Sequence, residues 1–114
     1  MITIYGIKNC DTVKKALKWL DAHGIAYTFH NYKKQGADLD ALTKAIEQHG
    51  WDKAINKRGT TWRNLSEEIK STTNEQSALE LGMENPSVIK RPLLMIGDMT
   101  YLGFSEEQYK TLFK

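Results

Sequence analysis

The sequence predicts an α/β domain in which a βαβ unit and a ββα unit share one sheet, with a helical block inserted between them. Three observations predict it. A short apolar run, a helical period and a second strand-like run follow one another over residues 2–32. Residues 38–49 have helical spacing, and nothing from 51 to 84 alternates like a strand. Two short apolar runs separated by turn residues then precede a final amphipathic segment. Neither half buries enough apolar surface alone, so the two must share one sheet.

Each element follows from its residues. Ile2 and Ile4 anchor the first strand, and Gly6-Ile7-Lys8-Asn9 reads as a loop. From Asp11 to His23, Val13, Ala16, Leu17 and Leu20 form one stripe, with Lys14, Lys15, Lys18 and Asp21 opposite. Gly24 stands where a left-handed helix cap belongs. Ile25 to Tyr32, rich in Tyr, Phe and Thr, reads as the second strand. A strand, a helix and a strand of these lengths favour parallel pairing. Lys33 to Gly36 is a polar break, and Asp38 to His49 is helical, with Leu39, Leu42, Ala45 and Ile46 on one face. After it come an apolar piece (Trp51, Ala54, Ile55) and a basic loop, Asn56 to Arg63. Weak helical stretches follow at Leu65–Ile69 and Glu75–Leu81. Asn85-Pro86 pairs a capping residue with a first-position proline and opens a single turn through Ile89. Leu93 to Ile96, Gly97-Asp98 and Met99 to Leu102 form a hairpin. Ser105 with Gln108 matches a capping box, and Tyr109, Leu112 and Phe113 face the last helix inward. The result is a single thioredoxin-like domain over 1–114 with a helical insertion at about 38–89.

Composition narrows the function classes. Apolar types make up 40% and charged types 26% of the 114 residues, which excludes collagen-like and disordered chains. No apolar run is long enough to cross a membrane, and Met1 to Tyr5 lacks the charged leader of a signal peptide. A net charge of +2 is too mild to point to nucleic acid. One cysteine forms no internal disulfide, which fits a reducing compartment, most simply the cytoplasm. Mild charge on one domain predicts a monomer.

Cys10 is the sharpest chemical feature. It lies between the first strand and the first helix, where unpaired N–H groups and the helix dipole favour a thiolate. The thiolate is the nucleophile. Thr12 offers a hydroxyl, and Lys8, Lys14 and Lys15 add positive charge, while Asp11 opposes the anion. A free cysteine is often buried and inert. The polar run Lys8-Asn9-Cys10-Asp11-Thr12 favours the reactive reading here. Position 13, where a second thiol of a Cys-x-x-Cys pair would stand, is Val13, so any disulfide must be mixed. Pro92 introduces the third strand and is either a trans edge proline or, if the fold is thioredoxin-like, cis. Arg58, Arg63 and Arg91 are the entire arginine complement, and Arg suits carboxylates and oxyanions. Any one of them is solvated surface by default; Arg91, beside Pro92, is the least idle, followed by Arg58 and Arg63. Trp62 reads as a buried anchor of the helical block. His23, His30 and His49 show no metal spacing, and no phosphate-cradling glycine loop is present, so no metal is expected.

Tyr5-Gly6-Ile7-Lys8-Asn9-Cys10-Asp11-Thr12-Val13-Lys14-Lys15-Ala16 resembles the N-terminal signature of the arsenate-reductase-like (ArsC/Spx) family. Arg58-Gly59-Thr60-Thr61-Trp62-Arg63 and Ile89-Lys90-Arg91-Pro92-Leu93 extend the resemblance over the whole chain, nearest to its YffB-type branch. The resemblance implies that Cys10 is the nucleophile. It also matches Arg58 and Arg91 to two of the three arginines by which the arsenate reductases hold an oxyanion. Gly103-Phe104 stands where the third belongs, and Val13 removes the Cys-x-x-Cys switch of the Spx branch. What remains is a glutathione-dependent thiol reductase. In that role Arg58, Arg91, Pro92, Lys8, Asn9 and Thr12 would bind substrate or glutathione, with Arg63 and Lys14 behind them. Glutathione is a co-substrate, and no tightly bound cofactor is implied. The expected partners are glutathione and a small thiol, disulfide or oxyanion, with neither nucleic acid nor membrane. The alternatives are an Spx-like module that docks a protein through the helical insert without turnover, and a weak arsenate reductase.

Overall fold

The structure, a computed structural model, describes residues 1–114. Four strands form one sheet: β1 (Ile2–Gly6), β2 (Thr28–Asn31), β3 (Leu93–Ile96) and β4 (Met99–Leu102), in the order β2-β1-β3-β4. β1 and β2 are parallel, joined through α1 (Asp11–Ala22). β3 runs antiparallel to β1, β4 runs antiparallel to β3, and α8 (Glu106–Leu112) follows. This is the thioredoxin-like arrangement, and β3 and β4 occupy the residues the sequence predicts.

The chain divides into two units, Met1–Gln35 with Arg91–Lys114, and Gly36–Lys90. In the first unit the strands' period of two places Ile4 and Leu94 on one face of the sheet, where they meet Ala16, Trp19 and Leu20 of α1 and Tyr109 of α8. Ile4, Leu20 and Leu94 have no exposed surface. Burial of such a side chain stabilises by about 1.5–3 kcal/mol. The Tyr109 ring packs edge-on against Trp19 and Phe104, and burial pushes its phenol above the ordinary range. Its hydroxyl closes no hydrogen bond.

Two boundaries differ from the periodicity, each for a local reason. The second strand begins at Thr28, not Ile25. Ile25 N–H donates to Leu20 O at 3.0 Å and Gly24 N–H to Asp21 O at 3.2 Å, which completes a Schellman cap on α1. Ile25 is therefore committed to the helix end. Tyr32 leaves the strand for a four-residue helix, α2 (Tyr32–Gln35), so the polar break is helical. Asn31 Oδ1 accepts Lys33 N–H at 3.1 Å and turns the chain there.

The second unit is helical throughout: α3 (Leu39–His49), α4 (Trp51–Ala54), α5 (Thr60–Arg63), α6 (Glu67–Ser71) and α7 (Glu75–Glu84), then a 3-10 turn at Pro86–Val88. The apolar piece at 51–55 and the end of the basic loop are helical turns, where the sequence predicts irregular chain. Packing supplies the reason. Ile55, Trp62, Ala78 and Val88 form a buried cluster, and Trp51 lies 6.0 Å from Trp62 between ring centres. Tertiary burial of this kind overrides weak local propensity. Trp62 is the buried anchor expected of it. α7 runs past the predicted Leu81 to Glu84 because Gly82 lets it approach α3: a Cβ there would stand 2.6 Å from Leu42 Cδ2.

A buried hydroxyl without a partner costs roughly 1–3 kcal/mol. Tyr109→Phe is therefore expected to leave the fold intact and raise stability by about 1 kcal/mol in urea denaturation; a loss of stability would mean the hydroxyl is satisfied.

Candidate active site

The sheet register assembles the site. Tyr5 pairs with Leu93, so the chain leaving β1 at Gly6 lies beside the chain entering β3 from Arg91-Pro92. Leu93 pairs with Leu102, and Gly103 N–H donates to Pro92 O at 2.9 Å. Three chain segments thus meet at one end of the sheet: 6–10, 91–92 and 103. The Arg91–Pro92 peptide is cis, the alternative that the fold favours.

A tight turn delivers the sulfur. Cys10 N–H donates to Ile7 O at 3.2 Å, with Lys8 and Asn9 at the exposed tip. Cys10 is then the N-cap of α1, in extended conformation, and its carbonyl accepts Lys14 N–H at 2.9 Å. The turn is close-packed beneath. A Cβ on Gly6 would fall 2.7 Å from Val13 Cγ2, so only glycine lets the first turn of α1 settle on β1.

The half-buried thiol closes no capping hydrogen bond of ordinary geometry. The gain belongs to the anion. Burial, the largest single influence, pushes the Cys10 pKa up. The Val13 N–H, the Arg91 side chain and the Thr12 N–H together outweigh it, with the Arg91 charge adding to them, and the net shift is downward. These groups are the orphan donors of a helix start and one cation.

Among the residues expected at the site, the structure brings together Cys10, Thr12, Arg91 and Pro92. Thr12 acts through its backbone N–H. Lys8, Asn9, Thr12 and Lys14 are exposed on either side of the sulfur, and the cation that acts on it is half-buried Arg91. In the sequence Val13 reads as a core residue and as the place where a second thiol is missing. Its contribution, the leading one in favour of the anion, comes from the main chain, and the signal for it was the N-cap position of Cys10. Arg58 and Arg63 belong to the second unit, both exposed; Arg58 N–H donates to Asn56 Oδ1, and Arg63 ends α5. No three His, Cys, Asp or Glu residues are placed to hold a metal ion.

Two outcomes test this geometry. Gly6→Ala is expected to cost about 1–3 kcal/mol through overpacking against Val13. Val13→Ala in that background should return part of the loss, and additive losses would reject the contact. The rate of Cys10 alkylation against pH should show a midpoint below that of a free thiol, and Arg91→Ala should move it upward. A folded pKa below the unfolded one stabilises the fold above the unfolded value, about 8.5, and the effect is lost as pH falls through the folded value. The stability of the native chain relative to Cys10→Ala should therefore grow from neutral to alkaline pH.

The chain matches the ArsC family over residues 5–112. It is 51% identical over 113 residues to an uncharacterized protein of Haemophilus influenzae, covering 99% of each. It is 45% identical to a YFFB protein of solved structure, with a TM-score of 0.92 over 97% of each chain. The global transcriptional regulator Spx of Listeria innocua is 27% identical over 112 residues, covering 96% of this chain and 85% of Spx. With the family match spanning nearly its whole length, this chain belongs to the ArsC family.

Proposed function

We propose that this protein is a glutathione-dependent thiol–disulfide reductase that works through Cys10 alone. The observation that carries the reading is a lone sulfur whose pKa is lowered by two helix-start amides and Arg91. The Cys10 thiolate attacks the glutathione sulfur of a mixed disulfide, R–S–S–G. The R–S⁻ thiolate leaves and takes a proton from water, and a Cys10–S–S–G bond remains. A second glutathione thiolate attacks that glutathione sulfur, giving oxidised glutathione and restoring the Cys10 thiolate. The net exchange is R–S–S–G plus one free glutathione thiol giving R–SH plus oxidised glutathione: the glutathionyl group passes from the substrate to Cys10 and then to the incoming glutathione, and that one thiol supplies the reducing equivalent.

Arg91 has two roles in this cycle. It holds charge beside the thiolate, and it offers a guanidinium to a glutathione carboxylate. Lys8 and Lys14 lie exposed in the segments flanking Cys10 and add a favourable field for an anionic substrate. Arg58, matched by its sequence context, is the second candidate anchor. Arsenate is the less favoured substrate. Gly103-Phe104, where a third arginine would stand, supplies no charged donor for the oxyanion.

Incubation with oxidised glutathione should add one glutathionyl group per chain, at Cys10, visible by mass spectrometry and absent in Cys10→Ser. Glutathione alone should then remove it, and Arg91→Ala should lower kcat/KM toward a glutathionylated peptide by roughly tenfold, about 1.4 kcal/mol. Arg58→Ala tests its own residue in the same assay. An unmodified Cys10, or an adduct that glutathione does not release, would reject the cycle. Protein binding that persists in Cys10→Ser without any turnover would favour the regulatory reading.

A further inference from the structure

α1 carries a second chemical feature beyond the thiol chemistry. Lys15, Lys18, Trp19 and His23 line a groove of about 720 Å³ together with Phe104 and Glu106 at the entry to α8. It begins roughly 8 Å along the helix from Cys10 and runs away from it. The volume falls within the range of small-molecule sites, about 300–1,000 Å³.

Its apolar surface is aromatic and held in place. The His23 ring stacks on Trp19 at 3.8 Å with planes 19° apart, and His23 Nδ1 lies 2.8 Å from Trp19 O, which places the ring proton on Nδ1. Phe104 stands edge-on to buried Tyr109 at 4.7 Å, and Trp19 meets the same ring edge-on at 5.5 Å. This surface is formed in advance, so a flat ligand would order little on binding. The charged lining is unspent. The chain's ion pairs form elsewhere, as at Lys44–Asp40 and Lys70–Glu67, and the side chains of Lys15, Lys18 and Glu106 make no hydrogen bond or ion pair. Two ammonium groups on α1 and one carboxylate on α8 therefore face an aromatic surface without partners of their own.

We propose that this groove binds a small ligand with a flat aromatic body, one carboxylate and one N–H or O–H donor. The ring lies on His23 and Phe104 against the exposed rim of Trp19, the carboxylate meets Lys15 and Lys18, and Glu106 accepts from the donor. Indole-3-carboxylate has all three features and serves as the probe. Titrated into the intact protein and followed by amide NMR, it should give saturable shifts centred on Trp19, His23 and Phe104. Its Kd should rise roughly tenfold in Lys15→Gln/Lys18→Gln, both exposed positions where the fold is untouched. The cationic analogue indol-3-ylmethylammonium should bind at least tenfold more weakly, reversing the preference expected if Glu106 dominated. Scattered or unsaturable shifts, equal binding of the cation, or an unchanged Kd in the double variant would overturn the site. Binding should persist in Cys10→Ser, which separates a failure here from a failure of the thiol chemistry.

Discussion

The pairing of Tyr5 with Leu93 is the constraint on which the site depends. An antiparallel register admits no half measures: a shift by one residue turns every side chain to the opposite face. Here one face must bury Ile4 and Leu94 against α1 and α8. The hydrophobic demand of the core therefore decides which residue of the β3 entry arrives beside the end of β1. Arg91 reaches Cys10 because Leu94 must lie opposite Ile4. The second hairpin pairing carries the constraint one strand further, bringing Gly103 to the Pro92 carbonyl. The chemistry of this end of the sheet is thus set by packing within it.

The sulfur sits in a contest between solvation and donors. Burial alone would hold the thiol neutral, and it is the largest single influence. It is outweighed because the fold places two amides and a guanidinium where water would otherwise be. Two of these donors belong to the helix backbone and are already in place when charge appears, and the third enters from Arg91, just ahead of β3. Exposed lysines in the same region act differently. Their charge is screened by water, so they contribute to the field around this end of the sheet more than to the state of the sulfur.

Most of the fold was legible because its signals are local. The Leu93–Ile96 and Met99–Leu102 strands are bounded by Pro92 and by Gly97-Asp98, and α1 and α3 carry clean apolar stripes. The errors fall where local signals were weak and packing decided. Trp51 to Ala54 and Thr60 to Arg63 are too short to show a period, and their helicity follows from the cluster around Trp62. Ile25 looks like a strand residue and is one by composition, yet its N–H is claimed by Leu20. At the site, Cys10 stood out because a polar run surrounds it, and Arg91 because Pro92 follows it. The Val13 amide carries no sequence signature, since every residue but proline has one. Only the N-cap geometry of Cys10 gives it a role.

That same residue shows how a site with one thiol can keep the amide that lowers its pKa. The Val13 side chain is fully buried and sits over Gly6, while its N–H serves the sulfur. The two functions are carried by different atoms of one residue. Replacing a second cysteine by valine at this position therefore removes nothing from the activation of Cys10, because the amide remains. What it removes is the internal thiol that would resolve a mixed disulfide. In the proposed cycle the first half of the exchange would depend on the fold, and the second half on a thiol from solution. In that cycle the external thiol would have to be recognised at this end of the sheet, where the guanidinium of Arg91 already acts on the sulfur.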